Sequence, residues 1–108
     1  MGTATREAEK DTKGKKYEVY VDDNFHFNDE NYRYKLGEFD TCVEAVSACK
    51  KIVDEFMDKA YKKGMSFDEL YGGYTGFGED PFIQSDDEKC EFSAWNYAKK
   101  RSKELCGE

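Results

Sequence analysis

Two short runs of this 108-residue chain hold side chains able to do chemistry: Asp22-Asp23-Asn24-Phe25-His26 and Phe77-Gly78-Glu79-Asp80. Carboxylates beside an imidazole make a ligand set suited to a divalent cation. An EF-hand is excluded, because counting from Asp22 the sixth position is Phe27 where glycine is needed and the twelfth is Arg33 where glutamate is needed. On an extended strand Asp22, Asn24 and His26 project to one side and converge only loosely. The plainer account is a solvated hairpin face and turn. The residues specify no particular metal, and no cofactor motif is present.

His26 is the only histidine. Nucleophilic catalysis needs a Ser or Cys delivered to it, and no local signature does so. The sequence therefore leans away from an enzyme. The segment Gly72-Gly73-Tyr74-Thr75-Gly76-Phe77-Gly78 invites a phosphate-loop reading, but it lacks the Lys-Ser/Thr of a P-loop and the spacing of a dinucleotide fingerprint. Glu79 and Asp80 would also repel an anion. Its glycines are expected to make tight turns while Tyr74, Phe77 and Phe82 plug the core. Should the loop line a groove instead, Tyr74 and Phe77 suit a peptide or a small apolar ligand.

The elements that must position these groups follow from periodicity. Tyr17, Val19 and Val21 alternate with polar residues and share a parity with Phe25 and Phe27, which predicts a strand with a bulge near Asp22-Asp23. Asn28-Asp29-Glu30-Asn31 supplies turn residues. Tyr32, Tyr34 and Leu36 alternate again, completing a β-hairpin. Thr41 and Glu44 match a capping box for a long helix whose apolar stripe is Ala45, Val46, Cys49, Ile52, Val53, Phe56 and Ala60, with Gly64 as its stop. Ser66 and Glu69 start a short helix that Gly72-Gly73 should end. Pro81-Phe82-Ile83-Gln84 reads as a short edge strand. Ser93 caps a last helix closed by Gly107.

The fold expected is α+β in two layers: an N-terminal antiparallel hairpin packed on the long helix, then a short helix, an edge strand and a C-terminal helix. Residues 1–16 show no apolar period and are expected to be a disordered tail, leaving 17–108 as one domain.

Net charge is −7, but residues 17–92 hold nineteen acidic against eight basic groups, a local −11. Such a field repels phosphate, so nucleic-acid binding is disfavoured. Lys99, Lys100, Arg101 and Lys103 are the exception, and through them weak nucleic-acid binding is an alternative. In the last turns of a helix, however, cations already complement the dipole. No stretch approaches a membrane span and the start lacks a signal-peptide core, so a cytoplasmic location is expected. Cys42, Cys49, Cys90 and Cys106 show no C-x-x-C spacing. Cys42 and Cys49 are separated by about 10 Å along one helix, too far for a disulfide. Free thiols are the expectation, with Cys49 a small core hydrophobe. Cys42 lies at a helix start that favours a thiolate, but Asp40 and Glu44 oppose this and leave an ordinary thiol.

Leu36-Gly37-Glu38-Phe39-Asp40-Thr41, followed by Glu44-Ala45, resembles the hairpin-to-helix joint of plant AP2-type DNA-binding domains, in architecture only, since the basic Trp-rich strands are absent. Val21-Asp22-Asp23-Asn24-Phe25-His26, Phe77-Gly78-Glu79-Asp80-Pro81-Phe82 and Phe92-Ser93-Ala94-Trp95 resemble phrases of a family of small uncharacterised bacterial proteins. That likeness implies no activity. It does imply that the hairpin and the Gly78–Pro81 segment are neighbours.

Two functions remain in view. One is a non-enzymatic protein-interaction module using the acidic surface or an aromatic groove. The other is a metal-dependent binder or enzyme built on Asp22, Asp23, His26, Glu79 and Asp80. The sequence gives no oligomeric state.

Overall fold

The computed structural model of the chain describes residues 16–26 and 29–107. In order the elements are β1 (Tyr17–Asp23), single 3-10 turns at Asn24–His26 and Glu30–Tyr32, β2 (Tyr34–Phe39), α1 (Cys42–Ala60), α2 (Phe67–Phe77), β3 (Glu79–Gln84) and α3 (Ala94–Cys106). The fold is α+β. The tail expected over residues 1–16, Lys16 apart, and positions 27 and 28 lie outside the described residues.

β1 is the centre of an antiparallel sheet ordered β2-β1-β3. Tyr17 pairs with Phe39 and Val21 with Tyr34 on one side. On the other, Val21 pairs with Pro81 and Asp23 with Glu79, so the Gly78–Pro81 segment does adjoin the hairpin. Both edges are blunted against further pairing. A bulge interrupts β2 where Val19 meets Gly37 and Tyr20 meets Lys35, and Pro81 removes a donor from β3.

The helices start where local chemistry dictates. Thr41 accepts from the Glu44 amide at 3.1 Å, Ser66 and Glu69 form a reciprocal capping box, and Ser93 accepts from the Asn96 amide at 3.2 Å. Gly107 ends α3 in the left-handed region at φ 72°. Along α1, Ala45, Cys49, Val53 and Met57 recur every fourth residue and are fully buried. Ala45 and Cys49 pack with Tyr17 and Val19 of the sheet. Val53 and Met57 pack with Leu70 and Tyr74 of α2 and with Ala94 and Ala98 of α3. On the flank, Asp54 accepts from the Tyr97 hydroxyl at 2.9 Å and from Arg101 Nε at 3.2 Å. Burial, and then Asp54, pushes the Tyr97 phenol up to about 12.

Four expectations are corrected. First, β1 stops at Asp23, because the Asp23 carboxylate accepts the Phe25 amide at 2.9 Å and turns the chain into a 3-10 turn. Second, Tyr32, Tyr34 and Leu36 stand exposed, and Tyr32 lies in the 3-10 turn that precedes β2. Third, Gly72-Gly73 do not end α2, which continues to Phe77. Each helical glycine costs about 1 kcal/mol relative to alanine, but burying Leu70 and Tyr74 completely outweighs that cost. Fourth, Cys42 and Cys90 form a disulfide. Distance excluded only the Cys42–Cys49 pair. Cys90 is brought to the start of α1 from 48 residues away, helped by the Tyr17 hydroxyl, which donates to Asp87 at 2.7 Å. Cys49 is a buried core residue as expected, its thiol pushed up to about 12 by burial and then by Asp80.

The disulfide closes a long loop, so Cys42→Ser should lower unfolding free energy by about 2–4 kcal/mol in urea titrations. Denatured wild type should show two titratable thiols before reduction and four after; four before reduction would refute the bridge. Gly72 and Gly78 should respond to alanine with opposite signs. A Cβ at Gly72 meets nothing within 4 Å, whereas one at Gly78 would lie 2.6 Å from the Tyr74 ring. Gly72→Ala should stabilise by about 1 kcal/mol and Gly78→Ala destabilise by about 1–3 kcal/mol, read from urea midpoints.

Candidate functional site

The chemistry-bearing residues gather where β1 ends and β3 begins. Register sets Asp22 opposite Asp80 and Asp23 opposite Glu79, which brings together the two runs that the sequence holds more than fifty residues apart. Tyr74 holds the joint from beneath. Its hydroxyl donates to the Glu79 carbonyl at 2.5 Å, and its own carbonyl accepts from Asn24 Nδ2 at 2.9 Å and from the Gly78 amide at 2.8 Å. The Asn24 amide donates in turn to the Gly78 carbonyl at 3.0 Å. Tyr74 is fully buried, and burial followed by the Asp80 charge holds its phenol far above the usual value. It is a positioning residue; its ring offers no surface to a ligand.

The carboxylates are engaged one by one. Asp22 takes a bidentate ion pair from Arg33, with Nε–Oδ1 at 2.6 Å and Nη2–Oδ2 at 3.1 Å. Asp23 lies 3.1 Å from His26 Nδ1, and that contact is the main reason its carboxyl is held below the ordinary range. The imidazole is stacked on Tyr32 with centroids 3.7 Å apart and planes 8° from parallel. Among the described residues His26 Nδ1 meets the Asp23 carboxylate and no Ser, Thr or Cys is bonded to the ring. Among the described residues, too, no three His, Cys, Asp or Glu side chains cluster in a way that could hold a metal ion.

What the site presents to solvent is aromatic. Phe25 and Phe77 stack with centroids 5.4 Å apart while remaining 61% and 69% exposed. Phe77 was expected in the core. It is instead the last residue of α2 and stands exposed, although it keeps the helical phase of Leu70 and Tyr74. Beside it lies a cleft of about 290 Å³ walled by Ile52, Glu55, Phe56 and Lys59 of α1 and by Phe77, Gly78 and Glu79. The Tyr34 hydroxyl donates to Glu79 at 3.3 Å. Burial, then the Glu79 and Glu55 charges, raises the Tyr34 phenol, which marks these three groups as neighbours.

Of the residues singled out in the sequence, Phe77 and Glu79 line this cleft; Asp22, Asp23 and His26 are instead engaged in local pairs with Arg33 and with each other, Tyr74 is buried beneath the joint, and Asp80 is half-buried opposite Asp22. Phe25, Tyr34, Ile52, Glu55 and Phe56 were missed. Only Phe25 had a local signal: three successive polar residues, Asp22-Asp23-Asn24, are poor strand formers and mark the break that turns it outward. In the basic patch, Arg101 is held by Asp54 and by Glu104 at 2.5 Å, while Lys99, Lys100 and Lys103 line a separate depression with Asn96 and Glu104.

Asp80 makes the joint sensitive to pH. Burial first and Asp22 second push its carboxyl up to about 6 from 3.8. A carboxyl raised in the folded state binds its proton more tightly there, so this group's contribution to stability falls as pH rises from about 4 to about 6. Asp80→Asn, which cannot ionise, should therefore exceed wild type by about 1–2 kcal/mol near neutrality and match it near pH 4. Urea unfolding of both proteins at the two pH values checks this, and a constant difference would refute it. No protein-family model matches the chain, and no curated protein or solved structure matches it either.

Proposed function

We propose that this protein is a small non-enzymatic docking module that holds a protein segment on the Phe25–Phe77 platform and in the adjoining cleft. The observation that carries this reading is the stacked, solvent-facing Phe25–Phe77 pair. Single exposed apolar residues are ordinary on protein surfaces, but contiguous aromatic ones mark interaction sites. Phe25 also meets the His26 ring, itself stacked on exposed Tyr32, and the partly buried Phe56 lines the cleft with Phe77. It is also rigidly mounted, since Phe25 and Phe77 flank the bonds among Asn24, Tyr74 and Gly78. A preorganised aromatic surface loses little entropy on binding.

The carboxylates serve this reading as walls and struts. Asp22 and Asp23 already carry their partners Arg33 and His26 within the hairpin. No described helix is long and apolar enough to cross a membrane. The Cys42–Cys90 disulfide fits an oxidising compartment better than the reducing cytoplasm first expected.

Random-peptide display panned against the intact protein tests the reading. Enriched peptides should bind wild type and lose at least about tenfold in affinity against a Phe25→Ser/Phe77→Ser variant. Both positions are exposed, so the variant should keep its urea midpoint within the roughly 0.5 kcal/mol typical of surface changes. Failure to enrich any peptide, or binders indifferent to the double substitution, would reject the platform.

A further inference from the structure

The docking reading leaves open what chemistry the partner brings, and the cleft beside Phe77 answers that. Its apolar wall is Ile52, Phe56 and Phe77, and two carboxylates from different elements, Glu55 of α1 and Glu79 of β3, stand around it. Among the described residues neither carboxylate forms an ion pair, although Lys59 lines the same cleft. On the outer face of the sheet three acidic groups have cations: Arg33 takes Asp22, and Lys35 reaches Glu18 at 3.2 Å and Glu38 at 2.6 Å. The cleft therefore combines an apolar surface with two unpaired carboxylates against one lysine.

We infer that this cleft receives an arginine or lysine side chain of the partner segment, with its stem on Phe56 and Phe77 and its cationic head between Glu55 and Glu79. The inference rests on the docking reading of the same face. Long cationic side chains suit such a place, because they lay their methylenes on apolar surface while the charged end seeks carboxylates or a ring face. Glu79 already accepts from the Tyr34 hydroxyl, so its carboxylate is steadied for a second donor. A second copy of this chain is the poorer occupant. A two-fold contact would bring the same acidic rim against itself on chains of net charge −7.

Fluorescence anisotropy with three labelled octapeptides tests this: leucine alternating with arginine, with serine or with glutamate. At 150 mM salt wild type should prefer the arginine peptide to the serine peptide at least tenfold. Glu55→Gln/Glu79→Gln should erase that preference, whereas Asp86→Asn/Glu88→Gln, an equal charge change on a distant loop, should preserve it. Charge reversal by Glu55→Lys/Glu79→Lys should transfer binding to the glutamate peptide, a gain that misfolding cannot imitate. Equal loss in both neutralised pairs would reduce the effect to diffuse attraction and overturn the inference. Binding of the serine peptide as tight as the arginine peptide, still lost in Phe77→Ser, would overturn the cation claim while leaving the docking reading intact. Absence of binding by all three peptides would overturn the inference, with display panning deciding the docking reading separately. Dimerisation of wild type in sedimentation, abolished by Phe77→Ser, would assign the face to a second copy and overturn the inference as well.

Discussion

Every part of this molecule is referred to one ridge of one helix. Ala45, Cys49, Val53 and Met57 stand a turn apart, about 6 Å along the axis, and all four are fully buried. Side-chain size grows along the ridge, and the two ends meet different partners. The small Ala45 and Cys49 let the sheet's Tyr17 and Val19 come close, while the larger Val53 and Met57 fill the space among Leu70, Tyr74 and Ala98. One helix thus carries both buried clusters, the sheet–helix one on its first half and the three-helix one on its second. Substituting a large residue at the Ala45 end would separate the layers, and a small one at the Met57 end would leave a cavity; cores of this density tolerate neither well.

The candidate site lies where β1 ends, and there the fully buried Tyr74 holds the chain. Two of its oxygens serve three donors and acceptors from opposite ends of the sequence: Asn24, Gly78 and Glu79. Fully satisfied, such a buried polar junction is rigid. Phe25 follows Asn24 and Phe77 precedes Gly78, so the same junction that closes the core fixes the exposed rings against each other. An aromatic surface that would otherwise be a liability in water is held in place through the core residue Tyr74.

The parts of this arrangement that were legible in the sequence are those decided within a few residues. The caps at Thr41, Ser66 and Ser93 and the stop at Gly107 depend on a side chain and a backbone group of the same turn, and all were readable. Strand alternation placed Tyr17, Val19 and Val21 inward, because the parity of a strand is local. Alternation does not say whether the inward side is covered, and that is why Tyr34 and Leu36 were expected inside and stand outside. The glycines of α2 misled for the complementary reason. Their intrinsic preference is weak, and burial of Leu70 and Tyr74 overrides it. The disulfide and the Glu55–Glu79 cleft both join residues from distant positions, and no local pattern encodes either.

Charge completes the argument, because the surplus of carboxylates is not spread evenly. Across the outer face, like charges meet by register: Glu18 stands opposite Glu38 and Asp22 opposite Asp80. Directly opposed like charges destabilise a sheet. Lys35 bridges Glu18 and Glu38 while lying 6.0 Å from the Tyr20 ring, and Arg33 grips Asp22 while lying 5.1 Å over Phe82. Two basic residues thereby neutralise the first pair, ease the second, where Asp80 still feels Asp22, and flank the outer Tyr20–Phe82 stack. Glu55 and Glu79 form no ion pair with any described residue. There the charge is left facing solvent beside aromatic rings, where a cation arriving from another molecule meets both at once.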